Sequence, residues 1–203
     1  MYVVGLTGGI ASGKSAVSNI LRKLGACIID ADQLAREIVE PGQPAWQEIV
    51  DYFGKDIVLA NGHLNRKRLG TIVFNSPSDR DVLNRITHDK ILSKMREAIR
   101  DIGKTGRKIV VLDVPLLIEA GFSDLVNEVW VVYVNEPLQL KRLQKRDQLT
   151  VEEAKARIQS QMPLRDKLRY TTIIINNEGD LTATACQVET EWKRVCELVK
   201  IEE

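Results

Sequence analysis

The stretch "GGIASGKS", Gly8 to Ser15, decides how the rest of the chain is read. Gly8, Gly13, Lys14 and Ser15 satisfy the spacing G-x-x-x-x-G-K-[ST]. Glycines at these places let the backbone curl until successive N–H groups point inward at phosphate oxygens. The helix expected to follow adds partial positive charge at its N-terminus. Lys14 then reaches β- and γ-phosphates, and the Ser15 hydroxyl is placed for Mg²⁺. The flanks agree. "YVVGL" before the loop is a short apolar run of the kind that forms a buried strand. After it, Val17, Ile20, Leu21 and Leu24 fall at i, i+3, i+4 and i+7, one face of a helix that Gly25 ends. "ACIID" reads as a second strand, so the chain opens as a parallel βαβ unit with a right-handed crossover.

Outward from this unit the pattern continues. Residues 31–105 hold several helical patterns and no convincing buried strand; the longest pattern runs from about Ser78 to Ile102, with Val82, Ile86, Leu92, Met95 and Ile99 on its core face. "KIVVLDVPLL" and "EVWVVYV" read as strands three and four, Asn135 and Pro137 as a helix start, and "TTIIIN" as strand five. The last helix carries Leu181, Ala185, Val188, Trp192, Val195 and Val199 along one side. Five strands alternating with helices predict an α/β fold. Its sheet is five-stranded, parallel and doubly wound, as in P-loop NTPases and kinases. The expected single domain has a core of residues 1–30, 106–137 and 170–203, a helical insertion at about 31–105 and a helical lid at about 138–169.

Composition sets outer limits. The chain has 203 residues, 44% hydrophobic and 28% charged, with a formal net charge of +1. That balance gives no bulk attraction to nucleic acid or membrane. Cys27, Cys186 and Cys196 are odd in number and form no CxxC, which fits reduced cysteines in a cytoplasmic protein. His63 and His88 lie far apart without cysteine neighbours, which excludes a zinc site. "MYVVGLTGG" has no basic leader and reads as a strand, and no stretch approaches the roughly 18 apolar residues of a membrane span. Small-molecule partners are expected, and no obligate protein partner is implied.

Three further features bear on chemistry. Asp113 ends the apolar run "IVVLD", the position of an acid that holds Mg²⁺ directly or through water; capping the next turn is its other use. Strand two ends with Asp30 and Asp32, at the edge that borders the ligand crevice in such sheets. Either can take a proton from a substrate hydroxyl. The basic segment from Lys141 to Arg169 carries Arg142, Arg146, Arg157, Arg165 and Arg169, and after strand four it sits as a lid over phosphates. A solvated helical face is the plain alternative. No Asn-Lys-x-Asp occurs, and "DYFG" (Asp51 to Gly54) lies in an amphipathic helical stretch, so a GTP-binding switch is disfavoured.

Six segments in order now resemble one family, the dephospho-CoA kinases: "LTGGIASGKS", "IIDAD" with "PGQPAWQEIVDYFG", "NGHLNRKRLGTIVF", "DVPLLIEAG", "RDQLTVEEAKARIQSQMPLRDK" and "INNEG". In the lid segment Arg146, Asp147, Arg157, Gln161 and Lys167 match. Departures are Asn65 where the family has Asp, Asp89 after His88 where it has Pro, and Thr171-Thr172 where it has Ala-Asp. The resemblance implies ATP-dependent phosphorylation of the ribose 3′-hydroxyl of dephospho-CoA, with Asp32 as base, Lys14 and Arg142 at the transferred phosphate, and Mg²⁺ held by Ser15 and Asp113. It implies a nucleotide site of Gly8, Gly9, Ala11, Ser12, Gly13, Lys14, Ser15, Ala16, Arg142, Arg146 and Asn177. It implies an acceptor site of Thr7, Asp32, His88, Leu116 and Glu119, served by the helical insertion. The competing readings are another P-loop kinase, with a nucleoside or polyol acceptor, and a nucleotide-dependent switch.

Overall fold

The computed structural model describes residues 1–201. The chain forms two compact units, one from Met1–Ile29 and the chain from Ile99 onward, the other from Asp30–Ala98.

The first unit is a five-stranded parallel sheet in the order β2-β3-β1-β4-β5, flanked by helices. Its strands are β1 (Tyr2–Gly8), β2 (Ile28–Asp30), β3 (Ile109–Asp113), β4 (Glu128–Tyr133) and β5 (Ile173–Asn176). Their near-continuous apolar runs are what a parallel sheet covered on both faces requires. Alternation assigns the faces. Val4, Leu6, Val111, Trp130, Val132 and Ile175 pack against α1 (Lys14–Lys23) and α9 (Leu181–Ile201) through Val17, Leu21, Val188, Trp192 and Val195. On the other face a Cβ on Gly5 would stand 2.7 Å from Leu117 and 3.0 Å from Val126, so this glycine makes room for the β3 exit. β1 is central, with β3 beside it on one side and β4 on the other, so the strand order reverses at its carboxyl end. Ligands in open α/β sheets bind at that place. α6 (Glu136–Asp147), α7 (Val151–Gln159) and α8 (Leu164–Lys167) complete the unit. Asn135 caps α6 through Leu138 N. No helix among the described residues is long and apolar enough to cross a membrane.

The second unit is helical: α2 (Ala31–Glu37), α3 (Pro44–Phe53), α4 (Arg66–Asn75) and most of α5 (Pro77–Lys104). Ile38, Val39, Ala45, Ile49, Val50, Ile57, Leu64 and Leu69 form its core, with Leu83, Ile86 and Ile91 against it. "DYFG" is the end of α3, closed by Gly54 at φ 83°. Asn65 caps α4, its Oδ1 accepting from Arg68 N at 3.0 Å. Asn and Asp cap almost equally well, so this departure from the family pattern is silent. α5 runs unbroken past His88-Asp89, where Asp89 supplies the backbone N–H that a proline would remove, and spans Pro77–Lys104, slightly beyond the expected Ser78–Ile102 at both ends.

The strands are shorter than their apolar runs. Ala26 and Cys27 lie outside β2, and Thr171 and Thr172 outside β5. Thr172 N still donates to the Val129 carbonyl at 2.8 Å, and the threonine hydroxyls add to that bond: Thr171 Oγ1 donates to the same carbonyl at 2.9 Å, and Val129 N donates to Thr172 Oγ1 at 3.2 Å.

The opposite end of the sheet is closed by a buried carboxylate. Glu128 takes the Trp130 indole N–H at 3.0 Å and the Arg194 guanidinium at 2.8–2.9 Å. Burial, with the Glu128 charge second, holds the nearby Tyr2 phenol above its ordinary range. Removing Glu128 strands the Trp130 indole N–H and leaves Arg194 only its pair with Glu191 at 2.7 Å. Glu128→Ala is expected to cost about 2 kcal/mol in denaturant unfolding, below the ~3–5 kcal/mol of a fully buried pair because Arg194 stays partly hydrated. Trp130 and Val129 keep their places, so the carboxyl edge of the sheet should hardly change.

Candidate active site

β1 delivers the chain to Gly8 and α1 begins at Lys14, so the loop occupies the carboxyl end of the central strand. Gly13 precedes α1 at φ 93°, and no side chain caps the helix. An uncapped helix N-terminus offers its N–H groups and dipole to an anion. A Cβ on Gly13 would lie 2.0 Å from Asn177 Nδ2, so both backbone and space demand glycine. Ala11 is also left-handed, at φ 57°. A non-glycine residue there costs about 1–2 kcal/mol, and neighbours must supply it.

Lys14 Nζ bonds Asp113 Oδ1, a salt bridge between two largely buried side chains. β1 and β3 pair in parallel with Leu6 level with Asp113, which brings the acid to the lysine. The Arg142 Nη1 and the Ser12 Oγ are buried without a hydrogen-bond partner. Arg142 Nη1 lies 3.9 Å from where a Gly13 Cβ would be. Unsatisfied buried donors cost about 1–3 kcal/mol each, and at an open helix N-terminus they suit a phosphate. The Ser15 hydroxyl, which is exposed, and the Asp113 carboxylate are hard oxygen donors of the kind Mg²⁺ takes alongside phosphate and water.

Other expected residues turn inward. Thr7 is fully buried and donates to the Pro115 carbonyl at 2.9 Å, so its hydroxyl holds the β3 exit. Asn177 donates to Ser12 O at 2.8 Å and accepts from Thr184 at 2.9 Å, bolting the β5 exit to the loop. Glu119 accepts from Lys167 Nζ at 2.8 Å and Met162 N at 3.2 Å, while Leu116 beside it is exposed. Arg146 forks onto Asp147 at 2.8 and 3.0 Å, and Arg157 reaches the same carboxylate at 2.9 Å. The bond to Arg146 holds the Asp147 carboxyl below its ordinary range. The basic segment as a whole is not a solvated face. Gln139 and Leu143 of α6, Leu164 and Lys167 are buried, whereas α7 buries Ala154 alone. Gln139 escaped the sequence reading; its only signal is that it stands three residues before Arg142, on the same helical face.

In the second unit Asp30, not Asp32, is the N-cap of α2, accepting from Asp32 N and Gln33 N at 2.9 and 3.1 Å. Asp32 is an exposed first-turn residue. His88 is half-exposed on α5, its Nδ1 3.3 Å from Asp89 Oδ1. A cavity of about 270 Å³ opens among Val39, Leu64, Leu69, Val73, Leu83 and Ile91, with Arg66, Asn84 and Thr87 as polar lining.

The dephospho-CoA kinase family model matches residues 2–183. A dephospho-CoA kinase of Carboxydothermus hydrogenoformans is 48% identical over 94% of this chain and 94% of its own. The solved dephospho-CoA kinase of Campylobacter jejuni is 32% identical and superposes with a TM-score of 0.73, covering 99% of this chain and 98% of that one. A solved Thermus thermophilus protein, 27% identical, reaches a TM-score of 0.81 with 95% and 96% covered.

Lys167 offers a test of this arrangement. Its side chain is fully buried, and burial holds the ammonium below the ordinary lysine range, with the Glu119 hydrogen bond acting in the opposite sense. Such a lysine binds fewer protons folded than unfolded. Its contribution to stability therefore rises with pH between the lowered value and about 10.4. Lys167→Met is expected to lose about 2–3 kcal/mol at neutral pH, since Glu119 keeps the Met162 N–H and some water. The gap to wild type should widen in urea titrations as pH climbs through that window.

Proposed function

The chain belongs to the dephospho-CoA kinase family, and on that premise we infer that it moves the γ-phosphoryl group of ATP to the ribose 3′-hydroxyl of dephospho-CoA, the last step of coenzyme A synthesis. The observation that carries the reading is the loop: an uncapped helix N-terminus, a paired Lys14 and an unpartnered Arg142 nitrogen around one glycine. When ATP arrives, Lys14 exchanges the Asp113 carboxylate for β- and γ-phosphate oxygens. Arg142 adds a second cation where negative charge builds during transfer. Ser15 and Asp113 would hold Mg²⁺, which neutralises phosphate charge once bound. The N–H groups of Gly9, Ala11 and Gly13 complete the cradle, and Ser12 and Ala16 hold its shape by donating to Gly9 O and Gly13 O. Asn177 acts through the loop backbone, and Arg146 acts from its fork on Asp147.

The second unit holds the acceptor. Its apolar cavity with polar lining suits an arm that carries both methyl and amide groups. Asp32 takes the proton from the reacting hydroxyl. Its support is its place: Asp32 is exposed in the first turn of α2, two residues beyond β2, next to the Asp30 cap. His88, Leu116 and Glu119 are assigned to the acceptor side, with Thr7 acting through Pro115. The segment 138–169 is the lid. The free cysteines fit a reducing, cytoplasmic setting.

An acceptor panel with labelled ATP tests the activity. Dephospho-CoA should be phosphorylated on the 3′-oxygen, read by phosphorus NMR, only when Mg²⁺ is present. Adenosine should be far slower, because remote binding energy orients the hydroxyl. Turnover of a nucleoside or polyol with none of dephospho-CoA would replace this reading by another kinase. Lys14→Ala should leave less than about a tenth of wild-type turnover per folded molecule, since that interaction strengthens in the transition state, and should melt lower because the buried Asp113 carboxylate loses its partner.

Asp32→Asn separates chemistry from capping. Phosphoryl transfer is loose and proton removal late, yet general bases still contribute about 10²–10⁴-fold. Turnover of Asp32→Asn should fall within that range while ATP affinity and melting temperature stay near wild type. Asp30→Asn should keep most turnover, because Asn caps nearly as well as Asp. Near-normal turnover in Asp32→Asn moves the base elsewhere.

A further inference from the structure

Both peptide groups of Ile10 are held from the basic segment. Ile10 N donates to Gln161 Oε1 at 2.8 Å, and Ile10 O accepts from Gln139 Nε2 at 2.8 Å. Gln139 is only 5% exposed, although it lies in a segment rich in charge. Glycine at position 9 makes room for it: an added Cβ there would stand 2.8 Å from Gln139 Nε2 and 3.0 Å from Leu164. The next residue, Ala11, is one of two non-glycine residues with positive φ among those described. Glycine is the usual occupant of such a place. A strained conformation persists only where its surroundings over-determine it; here Ser12 N closes a turn onto Gly9 O at 3.0 Å across Ala11, and the Ile10 N–H and carbonyl inside that turn are held from outside the loop.

We propose that Gln139 and Gln161 are positioning residues for phosphoryl transfer: together they clamp Ile10 and thereby keep Ala11 left-handed, so that the following N–H groups aim at the nucleotide. The proposal rests on the loop binding ATP phosphates. Gln139 and Arg142 share a face of α6 three residues apart. The same clamp therefore sets the height of the Arg142 guanidinium over Gly13. The two glutamines use opposite ends of their amides. Gln139 must donate and Gln161 must accept, which makes them chemically distinguishable.

The test is steady-state kinetics with ATP and dephospho-CoA on Gln139→Met, Gln161→Met and the double variant, each with and without Ala11→Gly, alongside melting temperatures. Each single change should lower kcat/KM for ATP about tenfold. The double change should add little, because releasing one side already frees the loop. Ala11→Gly should return at least threefold to each clamp variant, measured relative to its own effect in the wild-type background, since glycine is left-handed without support. A loss that Ala11→Gly does not restore, or that follows only the folded fraction, overturns the clamp. A second pair guards against misfolding by the Met variants. Gln161→Glu keeps an acceptor for Ile10 N–H, whereas Gln139→Glu has no proton to give Ile10 O. Both add the same charge beside the phosphates. Gln139→Glu should therefore lose at least fivefold more activity than Gln161→Glu, and equal losses overturn the proposal. Absence of wild-type turnover on dephospho-CoA, with ATP affinity still falling in the Met variants and recovering when Ala11→Gly is added, would count against the acceptor and leave the clamp standing.

Discussion

The ion pair between Lys14 and Asp113 is the constraint around which the first unit is organised. Neither charge is tolerable alone at that depth, since an unpaired buried charge costs several kcal/mol. Parallel pairing of β1 with β3 brings the two together at the sheet's carboxyl edge. An anion that draws Lys14 away leaves the carboxylate in need of another cation. A cation that takes the carboxylate frees the lysine for an anion. Phosphate and a divalent cation are therefore favoured together and disfavoured singly, by charge balance alone.

The loop around this pair is short in sequence, yet most of what shapes it is remote. Asn177 holds the Ser12 carbonyl from 165 positions away, Gln139 the Ile10 carbonyl from 129, and Gln161 the Ile10 N–H from 151. Pro115, just past Asp113, receives both the Thr7 hydroxyl and the Lys167 ammonium. A phosphate site of correct geometry thus exists only after β5 and α8 have docked. Such long-range closure is slow to form compared with local helices. It also means that lesions far from Gly8–Ser15 reach the loop through a single hydrogen bond.

What could be read in advance divides along the same line. The strand-loop-helix order, the apolar strands and the face of α1 are local patterns, and local patterns survive in a one-dimensional string. The choice between Asp30 and Asp32 was not readable, because cap and first-turn positions differ by a turn of backbone that composition does not mark. Nor was the burial of Lys167. A lysine in a run of charges looks solvated, and only the three-dimensional meeting with Glu119 and Pro115 makes the buried place tolerable. Thr171-Thr172 is intermediate: Thr172 N keeps a strand-like bond to the Val129 carbonyl, and the two hydroxyls supply the other bonds to Val129.

The basic segment resolves into parts with different freedom. α6 is tied down by Gln139 and Leu143, and residues 161–167 by Gln161, Leu164 and Lys167. Between them α7 has a complete capping box at Thr150 and Glu153, which fixes its first turn, and it buries only Ala154. Its link to α6 runs through Asp147, shared by Arg146 and Arg157 at an exposed surface where ion pairs contribute about 0–1 kcal/mol. Gln148, left-handed at φ 55°, marks the bend between the helices. Displacing α7 would leave Arg142 in place over the loop and would cost the Arg157–Asp147 contact and the burial of Ala154. The arginines thus divide by helix: Arg142 stands on α6, tied down by Gln139 and Leu143, and Arg157 on α7, joined to α6 at an exposed ion pair.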